Sequence, residues 1–148
     1  MRALQGRAGH RYVDHTGDVA VELWAPDEAE LLREAARAAA ALLTRGGARP
    51  AVALVDHRVE LDTLDREDRL VQWLNEVIYL AVCESLLVVE ATFELRDAPG
   101  EGGLVADLRA RPLDRGELET ELKSATYHDL RVTSHGEGGL RARVVIDV

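Results

Sequence analysis

The sequence contains one cysteine, one lysine and no long apolar run. The single cysteine, Cys83, cannot form an internal disulfide, which fits a protein of a reducing compartment. No stretch approaches the roughly 18 apolar residues that a transmembrane helix needs. The amino-terminal segment also lacks the apolar core of a signal peptide. We therefore expect a cytoplasmic protein with no membrane association.

Sequence motifs for several kinds of chemistry are absent as well. The chain has no G-x-x-x-x-G-K-[ST], no G-x-G-x-x-G, no H-E-x-x-H, no C-x-x-C and no G-x-S-x-G. The sequence therefore gives no support for a phosphate-binding loop, a zinc site with thiolate ligands or a turn that carries a serine nucleophile. The net charge of -9 argues against direct binding of nucleic acid, which requires clustered basic residues. Cys83 falls late in a predicted helix, where a small core residue is expected rather than a nucleophile.

The composition predicts a single domain over residues 1–148, in which residues 1–9 are expected to be flexible. A length of 148 residues is typical of one compact domain, and 47% hydrophobic with 30% charged residues is typical of a globular one. Apolar residues at helical spacing predict helices over about 27–44 and 65–84. Glycine-rich turns between alternating segments predict hairpins. The fold class is α+β, with two helices packed on a mostly antiparallel sheet. Its strands are predicted at 11–15, 19–24, 51–62, 86–96, 104–111, 121–127, 129–134 and 140–148.

Polar groups are concentrated first at a turn between two predicted strands. Asp14, His15, Thr16, Gly17 and Asp18 bring two carboxylates, an imidazole and a hydroxyl together within five residues. Aspartate and threonine are also ordinary turn formers, because their side chains bond to nearby backbone N–H groups. The segment by itself therefore fits either a plain turn or a set of metal ligands.

The second concentration lies at the carboxyl terminus. The last strand is apolar on both faces over 144–146, as expected for a central strand, yet it ends in Asp147. Val148 adds the free α-carboxylate one residue later. If Asp18 also lay here, like-charge repulsion would require a proton or a cation between the groups. Such oxygen ligands favour Ca²⁺ or Mg²⁺, with Mn²⁺ as an alternative, over zinc or copper.

The third concentration, at residues 119–128, contains the only lysine. Lys123, Tyr127 and His128 accompany hydroxyl and acidic side chains there. An exposed strand with alternating polar residues accounts for the pattern equally well. These three residues are therefore only candidates for contact with a partner.

Four segments of the chain resemble the archease family. They are YVDHTGDV at 12–19, LVQWLNEVIYL at 70–80, ELKSATYH at 121–128 and VVIDV at 144–148. The resemblance covers residues 10–148 in the same order, and the last motif coincides with the end of the chain. Four ordered motifs are more specific than any one of them.

The resemblance implies a function and a metal site. Archeases are accessory proteins of the RNA-splicing ligase that joins 2′,3′-cyclic-phosphate or 3′-phosphate ends to 5′-hydroxyl ends of RNA. They promote guanylylation of that GTP- and manganese-dependent ligase and its multiple turnover in tRNA splicing and RNA repair. The family's calcium-type site corresponds here to Asp18, Asp147 and Val148, the last through its main-chain carboxylate. Gly17 stands where the family usually has alanine.

Two other functions remain open on the residues alone. A small metal-dependent hydrolase could use the same carboxylates with His15 as a base. A general chaperone or interaction module could carry a structural ion. The resemblance favours an activator that is not itself an enzyme, with the ligase as its protein partner and no direct contact with nucleic acid.

Overall fold

A computed structural model describes residues 7–15, 17–46, 53–98, 102–136 and 138–148. It contains two long helices and seven strands in these residues. The elements are β1 Gly9–His15, β2 Asp18–Ala25, α1 Glu28–Leu43, β3 Val55–Asp62, α2 Arg66–Cys83, β4 Leu86–Arg96, β5 Gly103–Pro112, β6 Ser124–His135 and β7 Gly139–Asp147. No helix of the described residues is long and apolar enough to cross a membrane.

The strands form two antiparallel sheets, which confirms the predicted α+β class. The larger sheet has the order β1-β2-β7-β6, and the smaller has the order β3-β5-β4. Helix α1 contacts β2 and β4, and α2 contacts β6 and β4, so each helix touches both sheets. The prediction of a single sheet therefore needed one refinement. Hairpin signals pair neighbouring strands along the chain but do not say where one sheet ends.

Both helices begin as their sequences predict. The Asp27 carboxylate accepts the backbone N–H of Glu30 at 2.8 Å, and the Asp65 carboxylate accepts that of Asp68 at 2.8 Å. Each aspartate thereby satisfies an N–H group that has no partner inside the helix. These caps account for the agreement of the helix starts with prediction.

Trp73 of α2 is the largest fully buried side chain of the core. Its indole N–H donates to the carbonyl of Leu32 at 2.8 Å, so the one polar atom of the ring is satisfied. Its ring meets Phe93 of β4 edge to face, with centroids 5.0 Å apart. This side chain therefore joins both helices to the smaller sheet.

Strand β7 lies between β2 and β6, which confirms its prediction as a central strand. Val144, Val145 and Ile146 are all buried. Val144 and Ile146 belong to the core beneath the helices, whereas Val145 lies on the opposite face. An apolar run of this kind is therefore typical of a strand that pairs with a neighbour on each side and is buried on both faces.

Two local predictions were wrong or incomplete. The two extended segments predicted within 121–134 form one strand, β6, whose pairing with β7 shifts register between Thr126 and Arg131. Asp129 in this bulge has a φ of 52°, a left-handed conformation that aspartate tolerates. Cys83 is exposed rather than part of the core, because it is the last residue of α2.

Two predicted segments fall partly outside the described residues. Residues 51–52 of the predicted third strand lie outside the described part of the chain, and β3 begins at Val55. Of the amino-terminal segment expected to be flexible, residues 1–6 lie outside the described part. Gly9 is already the first residue of β1. Its Cα lies against the Trp24 ring, where a Cβ would approach ring atoms to 2.6 Å.

Candidate functional site

Asp18 and Asp147 are direct cross-strand partners at one end of the larger sheet. The next pair along, Val19 and Ile146, packs against the core beneath the helices. Because side chains alternate along a strand, the two aspartates lie on the face turned away from the helices. Opposed residues of an antiparallel pair carry their Cβ atoms about 5 Å apart. The fold therefore brings together the early turn and the end of the chain.

Polar residues beside Asp147 extend the pair of aspartates into a row across three strands, formed by Asp18, Asp147 and Ser124. Ser124 of β6 is the partner of Asp147 on the other side, and the backbone N–H of Lys123 donates to the Asp147 carbonyl at 2.9 Å. Asp18 and Asp147 are half-buried, and Val148 is 39% exposed. The terminal segment is thus held against β6 up to its last paired residue.

The donor chemistry of this row fits a hard cation. Asp18 and Asp147 supply carboxylate oxygens, and Val148 adds the terminal carboxylate one residue later. Ca²⁺, Mg²⁺ and Mn²⁺ prefer such ligands. The described residues include no group of three or more His, Cys, Asp or Glu side chains arranged to hold a metal.

The other residues of the early turn are only partly visible. His15 is the cross-strand partner of Asp18 in the backbone register, and Asp14 is the partner of Val19. The side chains of both residues, and the whole of Thr16, lie outside the described part of the chain. Gly17 has a φ of 74°, so the turn uses a backbone conformation that glycine adopts without strain.

Asn75 of α2 holds the start of β6 in position. Its role was not predicted from the sequence. Its side-chain carbonyl accepts the backbone N–H of Ala125 at 2.7 Å, and its amide donates to the Ala125 carbonyl at 3.3 Å. Ser124 is held beside Asp147 partly by this pair of bonds. The available signal was a polar amide among the apolar positions of α2, which by itself does not identify a partner.

A second polar cluster joins the β6 bulge to the start of α2. The Asp68 carboxylate accepts the Tyr127 hydroxyl at 2.6 Å, the Leu64 N–H at 2.9 Å and the Gln72 amide at 2.8 Å. Burial by itself raises the pKa of Asp68, but these hydrogen bonds together outweigh burial and lower it. The same bond to Asp68 raises the pKa of Tyr127.

Replacing Tyr127 with phenylalanine is expected to lower the free energy of unfolding by about 1 kcal/mol at pH 7, through loss of a bond to a charged acceptor. The folded-state pKa of Asp68 lies below its usual value. Its stabilising effect is therefore present above the unfolded pKa and is lost as pH falls through the folded pKa. Urea unfolding over a falling pH series should show the difference between variant and wild type shrinking in acid.

The control for this variant is Tyr79→Phe, which removes an exposed hydroxyl bonded to Glu84 at 3.0 Å. It should change stability less than Tyr127→Phe does. Equal losses in the two variants, or a Tyr127→Phe loss independent of pH, would contradict the role given to Asp68.

The remaining candidates of the third concentration lie on the surface. Lys123, Tyr127 and His128 are exposed, and Tyr127 reaches 60%. His128 lies 3.3 Å from the Asp129 carboxylate within the bulge. All three are available to a partner near the row formed by Asp18, Asp147 and Ser124, because each is within four residues of Ser124.

Comparison with known proteins gives one consistent result. The model of the Archease protein family (MTH1598/TM1083) matches residues 10–148. Protein archease of Archaeoglobus fulgidus is 31% identical over 142 residues, covering 94% of this chain and 98% of the relative. Protein archease of Methanosarcina barkeri is 28% identical, covering 94% and 95%. A probable protein archease of Mycobacterium tuberculosis is 33% identical, covering 95% of this chain and 75% of the relative.

A solved structure has the same fold. The solution structure of Methanobacterium thermoautotrophicum protein 1598 superposes with a TM-score of 0.67. The match covers 95% of this chain and 99% of that chain at 22% identity. At that identity the likeness supports the fold alone.

Proposed function

This chain belongs to the archease family, and we propose that it is an accessory activator of an RNA-splicing ligase. In this role it promotes guanylylation of the ligase and allows multiple turnover. The ligase joins 2′,3′-cyclic-phosphate or 3′-phosphate ends to 5′-hydroxyl ends in tRNA splicing or RNA repair. The protein itself performs no covalent step.

One observation carries the proposal: the four segments that resemble the family meet at one end of the larger sheet. The segments at 12–19 and 144–148 pair through Asp18 and Asp147. The segment at 121–128 pairs with the chain end through Ser124, and Asn75 of the segment at 70–80 is bonded to Ala125. A plain turn and a frayed terminus would not by themselves bring such distant segments together. Asp18, Asp147 and Ser124 lie on the outer face of the sheet, and Asn75 supports the same strand end from the side of the helices.

The residues of this surface have separate roles in the proposal. Asp18, Asp147 and the Val148 carboxylate would hold a divalent cation, with Ca²⁺ preferred and Mg²⁺ or Mn²⁺ as alternatives. A bound cation supplies positive charge that offsets the repulsion between these groups. Asn75 and the β6 pairing keep the chain end in position. Lys123, Tyr127 and His128 are exposed on and beside β6 and would contact the ligase.

Activation without covalent chemistry requires a difference in binding. A protein that binds the guanylylation-competent state of the ligase more tightly than its other states shifts the population toward that state. The net charge of -9 favours encounter with a basic RNA-binding surface, in a manner that weakens with salt. The rate of stimulation should therefore fall as ionic strength rises.

The function is tested by a ligation assay with the ligase from the same organism. RNA with a 2′,3′-cyclic-phosphate end and a 5′-hydroxyl partner strand is supplied in tenfold excess over ligase, with GTP and Mn²⁺. Product should exceed one equivalent per ligase only when this protein is present. An unchanged turnover number, or turnover of phosphoesters by this protein alone, would overturn the proposal.

Deleting Val148 tests the cation site separately from the ligase. The deletion leaves both aspartates but moves the terminal carboxylate back by one residue, onto Asp147. Calcium affinity measured by calorimetry should fall at least tenfold. Val148→Ala keeps the carboxylate in place and should bind calcium as the wild type does. Equal affinity of the deletion variant and the wild type would remove the terminal carboxylate from the site.

A further inference from the structure

The outer face of the larger sheet concentrates arginines in an otherwise acidic protein. In the register of β1, β2, β7 and β6, one row reads Arg11, Glu22, Arg143, Arg131. The adjacent row places Arg141 between Trp24 and Thr133. These residues alternate with buried core positions, so they share the face that also carries Asp18 and Asp147. We call Arg11, Arg131, Arg141 and Arg143 the arginine face.

Glu22 is the only acidic residue in these two rows, and it serves two arginines. Its carboxylate lies 2.6 Å from the Arg11 guanidinium and 3.6 Å from that of Arg143. Among the described residues, neither Arg131 nor Arg141 has an acidic group within about 4 Å, the reach of an ion pair. Arg131 and Arg143 are direct cross-strand partners, an arrangement of like charges that is unfavourable without an anion. In these two rows four guanidinium groups have one carboxylate between them, so the arginine face carries an excess of positive charge.

We propose that the arginine face binds the phosphate backbone of single-stranded RNA. Neighbouring strands are about 4.8 Å apart, and alternate residues of one strand are about 6.7 Å apart, so the four arginines project from closely spaced backbone positions. The planar fork of each guanidinium matches the oxygens of a phosphate. Trp24, which is half-buried on this face, offers a ring edge for contact with a base, and Thr133 offers a hydroxyl.

The total charge does not oppose this binding at physiological salt. Exposed charges more than about 8–10 Å apart are largely screened there, so a ligand responds to the local array. The expectation that this acidic chain does not bind nucleic acid was based on the net charge of the whole sequence. The fold instead collects four of its arginines on one sheet. The inference is independent of ligase activation and of any bound cation.

The test measures binding of a fluorescein-labelled 12-nucleotide oligo(U) RNA by anisotropy, in EDTA and at several salt concentrations. The wild type should bind with an affinity that falls with salt. The variant Arg131→Ala/Arg141→Ala removes the two guanidinium groups that lack an acidic neighbour among the described residues, and it should bind about tenfold more weakly at 0.1 M salt. The salt slope should fall by about 1.4, since each phosphate contact in a single strand contributes about 0.7.

Two control variants make the result specific. Arg109→Ala removes an exposed arginine from β5 of the smaller sheet and should leave RNA affinity within twofold of wild type. Arg131→Lys/Arg141→Lys keeps both charges and should retain most of the salt slope. Circular dichroism and thermal unfolding establish that each variant is folded.

Three outcomes would overturn the inference. They are no RNA binding at 50 mM salt, equal weakening by Arg109→Ala, and displacement of RNA by a polyglutamate peptide at lower concentration than by unlabelled oligo(U). The last would identify an acidic protein segment as the preferred ligand. Because the assay contains neither ligase nor metal, its failure would leave the proposed activation untouched.

Discussion

Replacing Asp18 with asparagine is expected to abolish multiple-turnover stimulation of the ligase while leaving the protein folded. The change keeps the size of the side chain but removes the charge opposite Asp147. The neutral amide is a weaker ligand for a hard cation than the carboxylate, so calcium affinity should fall by a factor of about 100, in the range given by loss of a liganding or supporting group. Ligated product should therefore return to about one equivalent per ligase.

The expected result distinguishes loss of the cation site from loss of the folded structure. Asp18 is half-buried on the outer face, and the core pair Val19 and Ile146 is untouched by the change. Thermal unfolding without metal should remain cooperative, because the buried pair next to the two aspartates is unchanged.

A matched control is Asp107→Asn on β5. Asp107 is exposed and pairs with Arg58 on the other sheet, so its replacement removes the same charge elsewhere. This variant should stimulate the ligase normally. Full stimulation by Asp18→Asn, or equal loss in both variants, would show that the site assignment is wrong.

Replacing Arg69 with methionine should cause a large loss of stability, about 3–5 kcal/mol, since it leaves the partly buried Glu28 carboxylate and the buried Gly103 carbonyl without their charged partner. Arg69 is 1% exposed, and its guanidinium contacts Glu28 of α1 at 2.5 and 3.1 Å and Asp97 at 2.7 Å. It also donates to the carbonyls of Arg96 and Gly103 at 3.2 Å. One side chain thus ties both helices to β4 and β5.

Urea unfolding of three variants tests this role. Arg58→Met removes an exposed arginine that is paired on the strand surface, and it should cost much less stability than Arg69→Met. Adding Glu28→Gln to Arg69→Met should recover part of the loss, because the carboxylate is then no longer charged and uncompensated. A loss below about 1 kcal/mol for Arg69→Met would contradict the structural role of this cluster.

Local features could be predicted because their causes are local. The two helix starts follow from Asp27 and Asp65 three residues before the N–H groups that they accept. Strand β7 was predicted as central because its apolar run needs cover on both faces, and the structure confirms it. The ligand chemistry of the carboxylates also follows from residue type alone.

Sequence pattern failed where the deciding contact comes from a distant element. Cys83 matched the apolar side of α2, but its exposure depends on where the helix ends relative to the sheets. An asparagine and an arginine within a helix look like surface residues, yet Asn75 is bonded to Ala125 and Arg69 is buried. The bulge at 127–130 similarly reflects the mismatch between β6 and β7, which neither strand encodes alone.

The sequence by itself determined the fold class, the helices and the family resemblance. Only the tertiary structure decided that Asp18 faces Asp147 and that four arginines share one sheet. Periodicity specifies which face a side chain takes within its own strand, whereas strand order and register specify which distant residues share that face. Those pairings depend on packing of the whole sheet against α1 and α2, so no segment read alone contains them.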